Sequence, residues 1–199
     1  MSNPFTKEQV DEIINWAINP ESIGLENTLK NTSSQKKLKP ENTKEKKMGN
    51  IVLNTQKEIK QWSTRVGEGV VKYLLTNKGF SIEKNKTING RNPDILTPEI
   101  VFEVKTRNWT CPGTAGEKVI GCPFKYCEVR ELFNKQKLII VAIAYQEFEM
   151  CKEGGSMQVF GEGMSENRKK IIEFFKNMNI HFLQFSEFIK MTKEELNSL

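Results

Sequence analysis

The sequence predicts an α/β (α+β) fold, a mixed central β-sheet flanked by helices, with a small helical extension at the N-terminus. Three observations predict it. The run LIIVAIAY at 138–145 is apolar on both faces, as a covered central strand must be. Shorter runs at 80–84, 92–96, 100–106 and 180–185 are patterned as strands. Around them apolar residues recur at helical spacing, so the main body reads αβββαβαβα.

Taken in order, Thr6 precedes a stripe of Val10, Ile13, Ile14, Ala17 and Ile18, which Asn19 and Pro20 end; this predicts one capped amphipathic helix. Residues 22–50 are rich in Asn, Thr, Ser and Lys and nearly empty of bulky apolar side chains, so a basic flexible linker is expected there. Ile59, Trp62, Val66, Val70, Tyr73 and Leu74 then mark a long helix closed by Asn77, Lys78 and Gly79. A further amphipathic helix is expected over 165–178, and a closing one over 186–196, opened by a Ser186 cap. The expected organisation is an N-terminal helical element (1–21), the linker (22–50) and one main domain (51–199).

With 199 residues, 37% apolar and 28% charged, the chain can bury one core of ordinary size. No run approaches the roughly 18 apolar residues of a membrane helix, and the first residues lack the basic-then-apolar order of a secretory signal, so a soluble intracellular protein is expected. Cys111, Cys122, Cys127 and Cys151 form no CxxC pair and His181 is the sole histidine, which argues against structural zinc and for reduced thiols. The net charge of +5 is concentrated: residues 30–47 carry seven lysines against Glu41 and Glu45. Such a stretch either follows a phosphate backbone through counterion release or is a solvated tether.

The chemistry-bearing pattern follows. Asp94, in Asn92-Pro93-Asp94, is separated by the turn residues Thr97, Pro98 and Glu99 from Val101-Phe102-Glu103-Val104-Lys105. Side chains alternate along a strand, so Val101, Glu103 and Lys105 share one face while Ile100, Phe102 and Val104 point to the other, into the core. A tight connection would bring Asp94 beside Glu103. Two carboxylates and a backbone carbonyl, that of Val104, suit Mg²⁺, which takes oxygen ligands and retains waters; Mn²⁺ should substitute. Lys105 is placed to hydrogen-bond a water attacking a phosphodiester.

Pro93-Asp94 followed by Glu103-Val104-Lys105 resembles the signature of the PD-(D/E)XK nuclease superfamily. The stretch 92–149 is similar to type II restriction endonucleases encoded by large (nucleocytoplasmic) DNA viruses. The resemblance implies a restriction-endonuclease-like αβββαβ core and metal-dependent cleavage of double-stranded DNA at a short site. It further implies a homodimer, a cognate DNA methyltransferase acting on the same site, and location in a host cytoplasm or a virion. Members of that superfamily draw a metal-site glutamate from the first core helix, which makes Glu68, between Gly67 and Gly69, the candidate; the alternative is an acid beside glycines that ease helix packing.

In the segment 106–126, Thr114 and Glu117 have capping-box spacing, so a short helix is expected to start at Ala115 and present its amides to a phosphate, with Arg107, Lys118 and Lys125 adding charge. Gln146, at the end of the central strand, completes the candidate DNA contacts. The order of a nucleotide P-loop is absent. His181 reads as structural, Cys122 and Cys127 as packing thiols, and Phe174, Phe175, Phe182, Phe185 and Phe188 as core. The glycine-rich stretch 154–163 is either a connector or a DNA-touching loop. A junction resolvase would use the same Asp94, Glu103 and Lys105; a non-catalytic DNA-binding module would use none of them.

Overall fold

A computed structural model describes residues 5–25, 35–54, 62–84, 86–110 and 117–199. Helix α1 (Lys7–Ile18) begins at the expected cap: the Thr6 hydroxyl accepts from the Gln9 amide while the Gln9 side chain accepts from the Thr6 amide. A 3₁₀ turn (Pro20–Ile23) follows, then α2 (Gln35–Val52) and α3 (Trp62–Asn77). The sheet comprises β1 (Ile95–Leu96), β2 (Ile100–Arg107), β3 (Lys137–Ala144) and β4 (Ile180–Gln184), in that spatial order. Three short helices, α4 (Glu117–Ile120), α5 (Cys122–Tyr126) and α6 (Val129–Leu132), lie between β2 and β3. Helices α7 (Tyr145–Cys151) and α8 (Glu166–Asn177) lie between β3 and β4, and α9 (Phe185–Phe188) and α10 (Lys193–Ser198) follow β4.

The fold is the mixed α/β arrangement expected: β1 pairs antiparallel with β2, whereas β2–β3 and β3–β4 are parallel. Every residue of β3 is buried, as its two-sided apolar pattern requires. One face of the sheet, with Ile100, Phe102, Val104, Ile139, Val141 and Ile143, packs against α1, α3 and α9. The other face, with Val101, Leu138, Ile140 and Ala142, packs against α4 to α6 and α8. No helix among the described residues is long and apolar enough to cross a membrane.

Several elements differ from expectation. Residues 35–52 are helical, not a flexible linker, and Met48 and Val52 enter the core beside Trp16 and Trp62. The physical reason is Glu45: its fully buried carboxylate accepts from Trp16 Nε1 (2.9 Å), the Trp109 amide (2.7 Å), and the amide (3.1 Å) and hydroxyl (2.5 Å) of Thr110. That anchoring offsets the poor apolar content of the stretch.

The segment 80–84 is not a strand; its Glu83 amide donates to the Leu96 carbonyl at 2.8 Å, and β1 itself is two residues long. The closing helix is two helices, because Ser186 is held by Glu147 while Thr192 and Glu195 form a second capping box that restarts the helix. Phe174 is 59% exposed: α8 turns its apolar edge so that Phe175 enters the core. Ile59 lies outside the described residues.

Candidate active site

Strand β2 is buried along most of its length, and Glu103 is its exception in chemistry, a carboxylate with no exposed surface amid Val101, Phe102 and Val104. A buried acid needs partners. The β1–β2 connection supplies them: the Thr97 hydroxyl accepts from the Ile100 amide and the Thr97 amide bonds the Ile100 carbonyl, closing a turn that lays Asp94 alongside Val104. The Val104 amide donates to Asp94 Oδ2 at 2.8 Å. Lys105 Nζ lies 2.6 Å from Glu103 Oε2, 3.3 Å from Asp94 Oδ2 and 3.5 Å from the Val104 carbonyl.

Asp94, Glu103 and Lys105 therefore converge on one point, and the ammonium stands at the focus of the oxygens that the sequence reading assigned to a cation. Burial and the Asp94 charge push the Glu103 carboxyl up to about 7, with Lys105 pulling the other way. Burial alone would lower Lys105, but the charges of Glu103 and Asp94 outweigh it, so this side chain is held cationic above its ordinary range. Glu103 Oε1 is buried and has no hydrogen-bond partner among the described residues. An acceptor left so beside Asp94 and Lys105 fits a further positive or donating group, which is what an oxygen-seeking divalent ion would be.

The residues open onto a cleft of about 550 Å³ at the carboxyl ends of the parallel strands β2 and β3, where open α/β sheets place ligands. Asp94, Val104, Lys105, Arg107, Lys125 and Gln146 all line it. Gln146 reaches it because Ala144 adopts φ 58° and ψ −129°, a sharp turn from β3 into α7 that few residues other than glycine accept. The guanidinium of Arg107 lies over the Tyr145 ring at 4.5 Å.

Glu68 stands close enough to this centre to feel the charges of Asp94 and Lys105. Burial raises its carboxyl, and the Asp94 charge raises it further against Lys72, Lys105 and Arg65. No three His, Cys, Asp or Glu side chains among the described residues stand close enough together to hold one ion. The glycines beside it serve packing: a Cβ on Gly67 would overlap the Thr106 hydroxyl, and one on Gly69 would overlap the Phe5 ring. Thr114 lies outside the described residues, as does the start of the expected helix at Ala115; α4 contains Lys118, whose side chain is likewise not described.

Cys122, expected as a packing thiol, and Tyr126, to which the sequence assigns no role, line the cleft beside Lys105. Lys105 Nζ lies 5.7 Å from the Tyr126 ring centre, and burial pushes the Cys122 thiol up to about 11. No local pattern marks them, since the turn-rich stretch 117–132 acquires its place only by packing on the sheet. Cys122, Cys127 and Cys151 are free thiols. His181 is buried in β4, its pKa lowered by burial and by Lys137 and Lys176. No protein-family model, no curated protein and no solved structure matches the chain.

Proposed function

We propose that the chain is a divalent-metal-dependent endonuclease that hydrolyses phosphodiester bonds of double-stranded DNA at a short specific site. The observation that carries this reading is the single cationic amine held by two carboxylates at the floor of a cleft that also presents Arg107 and Lys125. A bound Mg²⁺ or Mn²⁺ would be held by Asp94, Glu103 and the Val104 carbonyl, and would supply positive charge against the phosphoryl oxygens.

The protein's own contributions follow from its geometry. The Val104 amide fixes the Asp94 carboxylate, so that its orientation does not depend on substrate. Lys105 is too basic to accept a proton near neutrality; it donates, orienting an attacking water and offsetting charge as that water loses a proton. Glu103, buried beside Lys105 with its pKa pushed to about 7, is able to change protonation near neutral pH. Tyr126 and Cys122 wall off the far side and keep the ammonium partly desolvated. Dimerisation, which would place one centre on each strand, and a cognate methyltransferase belong to the same proposal and rest on the resemblance alone.

The test is incubation of supercoiled and linear plasmid with the protein and Mg²⁺ or Mn²⁺. Discrete fragments are expected from the wild type. Asp94→Asn, Glu103→Gln and Lys105→Ala should each lower cutting by roughly a hundredfold or more while duplex affinity in Ca²⁺ changes only a few-fold. Full cutting by Asp94→Asn or Glu103→Gln would refute the assignment. Preference for a four-way junction over the linear duplex would move the substrate class to junctions.

A further inference from the structure

Beyond the carboxylates and Lys105, the cleft holds a second group of polar side chains with a chemistry of its own. Gln146 is only 2% exposed, yet its Nε2 has no hydrogen-bond partner among the described residues, and the residue lines the cleft. A buried amide donor without a partner is destabilising, and a ligand acceptor would relieve it. Arg107 faces Ala144 in the β2–β3 register, two residues before Gln146, and its guanidinium lies over the Tyr145 ring at 4.5 Å. Lys125 reaches the same cleft from α5. The sharp turn at Ala144 is what carries Gln146 into this corner instead of continuing the strand.

An amide N–H, a guanidinium and an ammonium form a donor set suited to an anion. Its position narrows the anion. Arg107 lies two residues beyond Lys105 on β2, roughly 7 Å along an extended strand. That span is comparable to the step between successive phosphates of one nucleic-acid strand.

We propose that Gln146, Arg107 and Lys125 form a second phosphate subsite, which holds the phosphate next to the one bound at Asp94, Glu103 and Lys105. This deepens the nuclease reading and rests on it. It assigns Gln146 a binding role toward the substrate backbone: a contact that fixes the register of the strand without reading its sequence. It also implies that the smallest well-bound substrate carries two consecutive phosphates.

The experiment compares thymidylyl-thymidine with and without a 5′-phosphate, titrated in Ca²⁺ into the full chain and its variants, with the side-chain amide resonance of Gln146 followed by NMR. Wild type should bind the doubly phosphorylated dinucleotide about tenfold more tightly, with a shift of the Gln146 amide. Gln146→Leu and the near-isosteric Gln146→Glu should each reduce that preference to about twofold or less, and the second variant guards against a packing defect in the first. Equal binding of the two dinucleotides by wild type, or undiminished preference in Gln146→Glu, overturns the subsite. So does an equal Gln146 shift with inorganic phosphate alone, which would make the site one for free anions. Plasmid cutting is scored separately: preference without cutting keeps the subsite and removes the hydrolytic reading, while cutting without preference does the reverse.

Discussion

Glu103 has a measurable consequence that does not depend on any substrate. Its carboxyl moves from an ordinary 4.5 to about 7 on folding, chiefly because burial disfavours the charged form. Between those values the folded protein holds a proton that the unfolded chain has released, so stability falls as pH rises from 4.5 towards 7, and the loss is complete above 7. A shift of that size corresponds to about 3 kcal/mol. Lys105 shifts upward from an ordinary 10.5, so its own contribution is fully present below that pH and adds no slope in this window. Glu45 and Glu147 are also raised by burial and tilt the profile the same way, so the slope alone does not identify Glu103. Glu103→Gln does: urea unfolding of the metal-free protein at pH 5 and pH 8 should show the difference between the two shrink by about 2.5 kcal/mol in the variant. An unchanged difference would mean that Glu103 is not protonated on folding. Divalent ion added at pH 8 should stabilise the wild type and leave Glu103→Gln nearly unaffected, because an ion bound only by the folded state shifts the equilibrium by mass action.

Helix α3 and strand β2 approach each other as closely as they do because Gly67 presents no side chain to Thr106. Gly67→Ala therefore has opposed effects: a helix-propensity gain of about 1 kcal/mol and an overlap with the Thr106 hydroxyl whose relief costs about 1–3 kcal/mol. A net loss of stability is expected in urea unfolding, and Thr106→Ser should not restore it, because the hydroxyl is retained. Gly67→Ala more stable than wild type would show that α3 moves freely over β2. The same pair of elements shows what a sequence discloses about a site. The convergence of Glu103 and Lys105 was legible because strand alternation is a local rule, and Asp94 joined them because Thr97 to Ile100 makes a recognisable turn. β3 was legible from its two-sided apolar run. The reason for the glycines was not, since it resides in Thr106 and Phe5, remote in the chain. Nor was the break between α9 and α10: the Ser186 amide and hydroxyl are taken by Glu147, 39 positions away, and Thr192 with Glu195 restarts the helix.

At the scale of the molecule, α1 and α2 share one apolar cluster with the sheet: Val10, Ile13, Trp16, Met48 and Val52 lie with Val66, Val70, Phe102 and Ile143. The lysine-rich composition around Glu45 concealed this, because what orders the stretch is one acid paired with residues 29, 64 and 65 positions away. That acid joins the N-terminal helices to the loop leaving β2, directly after Arg107, and Trp109 Nε1 completes the join by donating to the Trp16 carbonyl at 2.8 Å. If the basic segment were a tether, replacing Glu45 would be neutral. If it is part of the core, Glu45→Ala leaves the Trp109 and Thr110 amides and Trp16 Nε1 buried without an acceptor, a loss on the order of 3 kcal/mol. For a chain of this length that lowers Tm by roughly 6–12 °C. Glu45→Gln should fall between the two, since one oxygen still accepts while the amide nitrogen turns a donor towards the donors of Thr110. Far-UV circular dichroism and tryptophan fluorescence should follow one transition in all three proteins, because Trp16, Trp62 and Trp109 report from the junction while most of the helix and strand signal comes from beyond it. A fluorescence transition that precedes loss of secondary structure in the wild type would show that the N-terminal helices detach on their own, and unaltered Tm in Glu45→Ala would return them to the status of a tether.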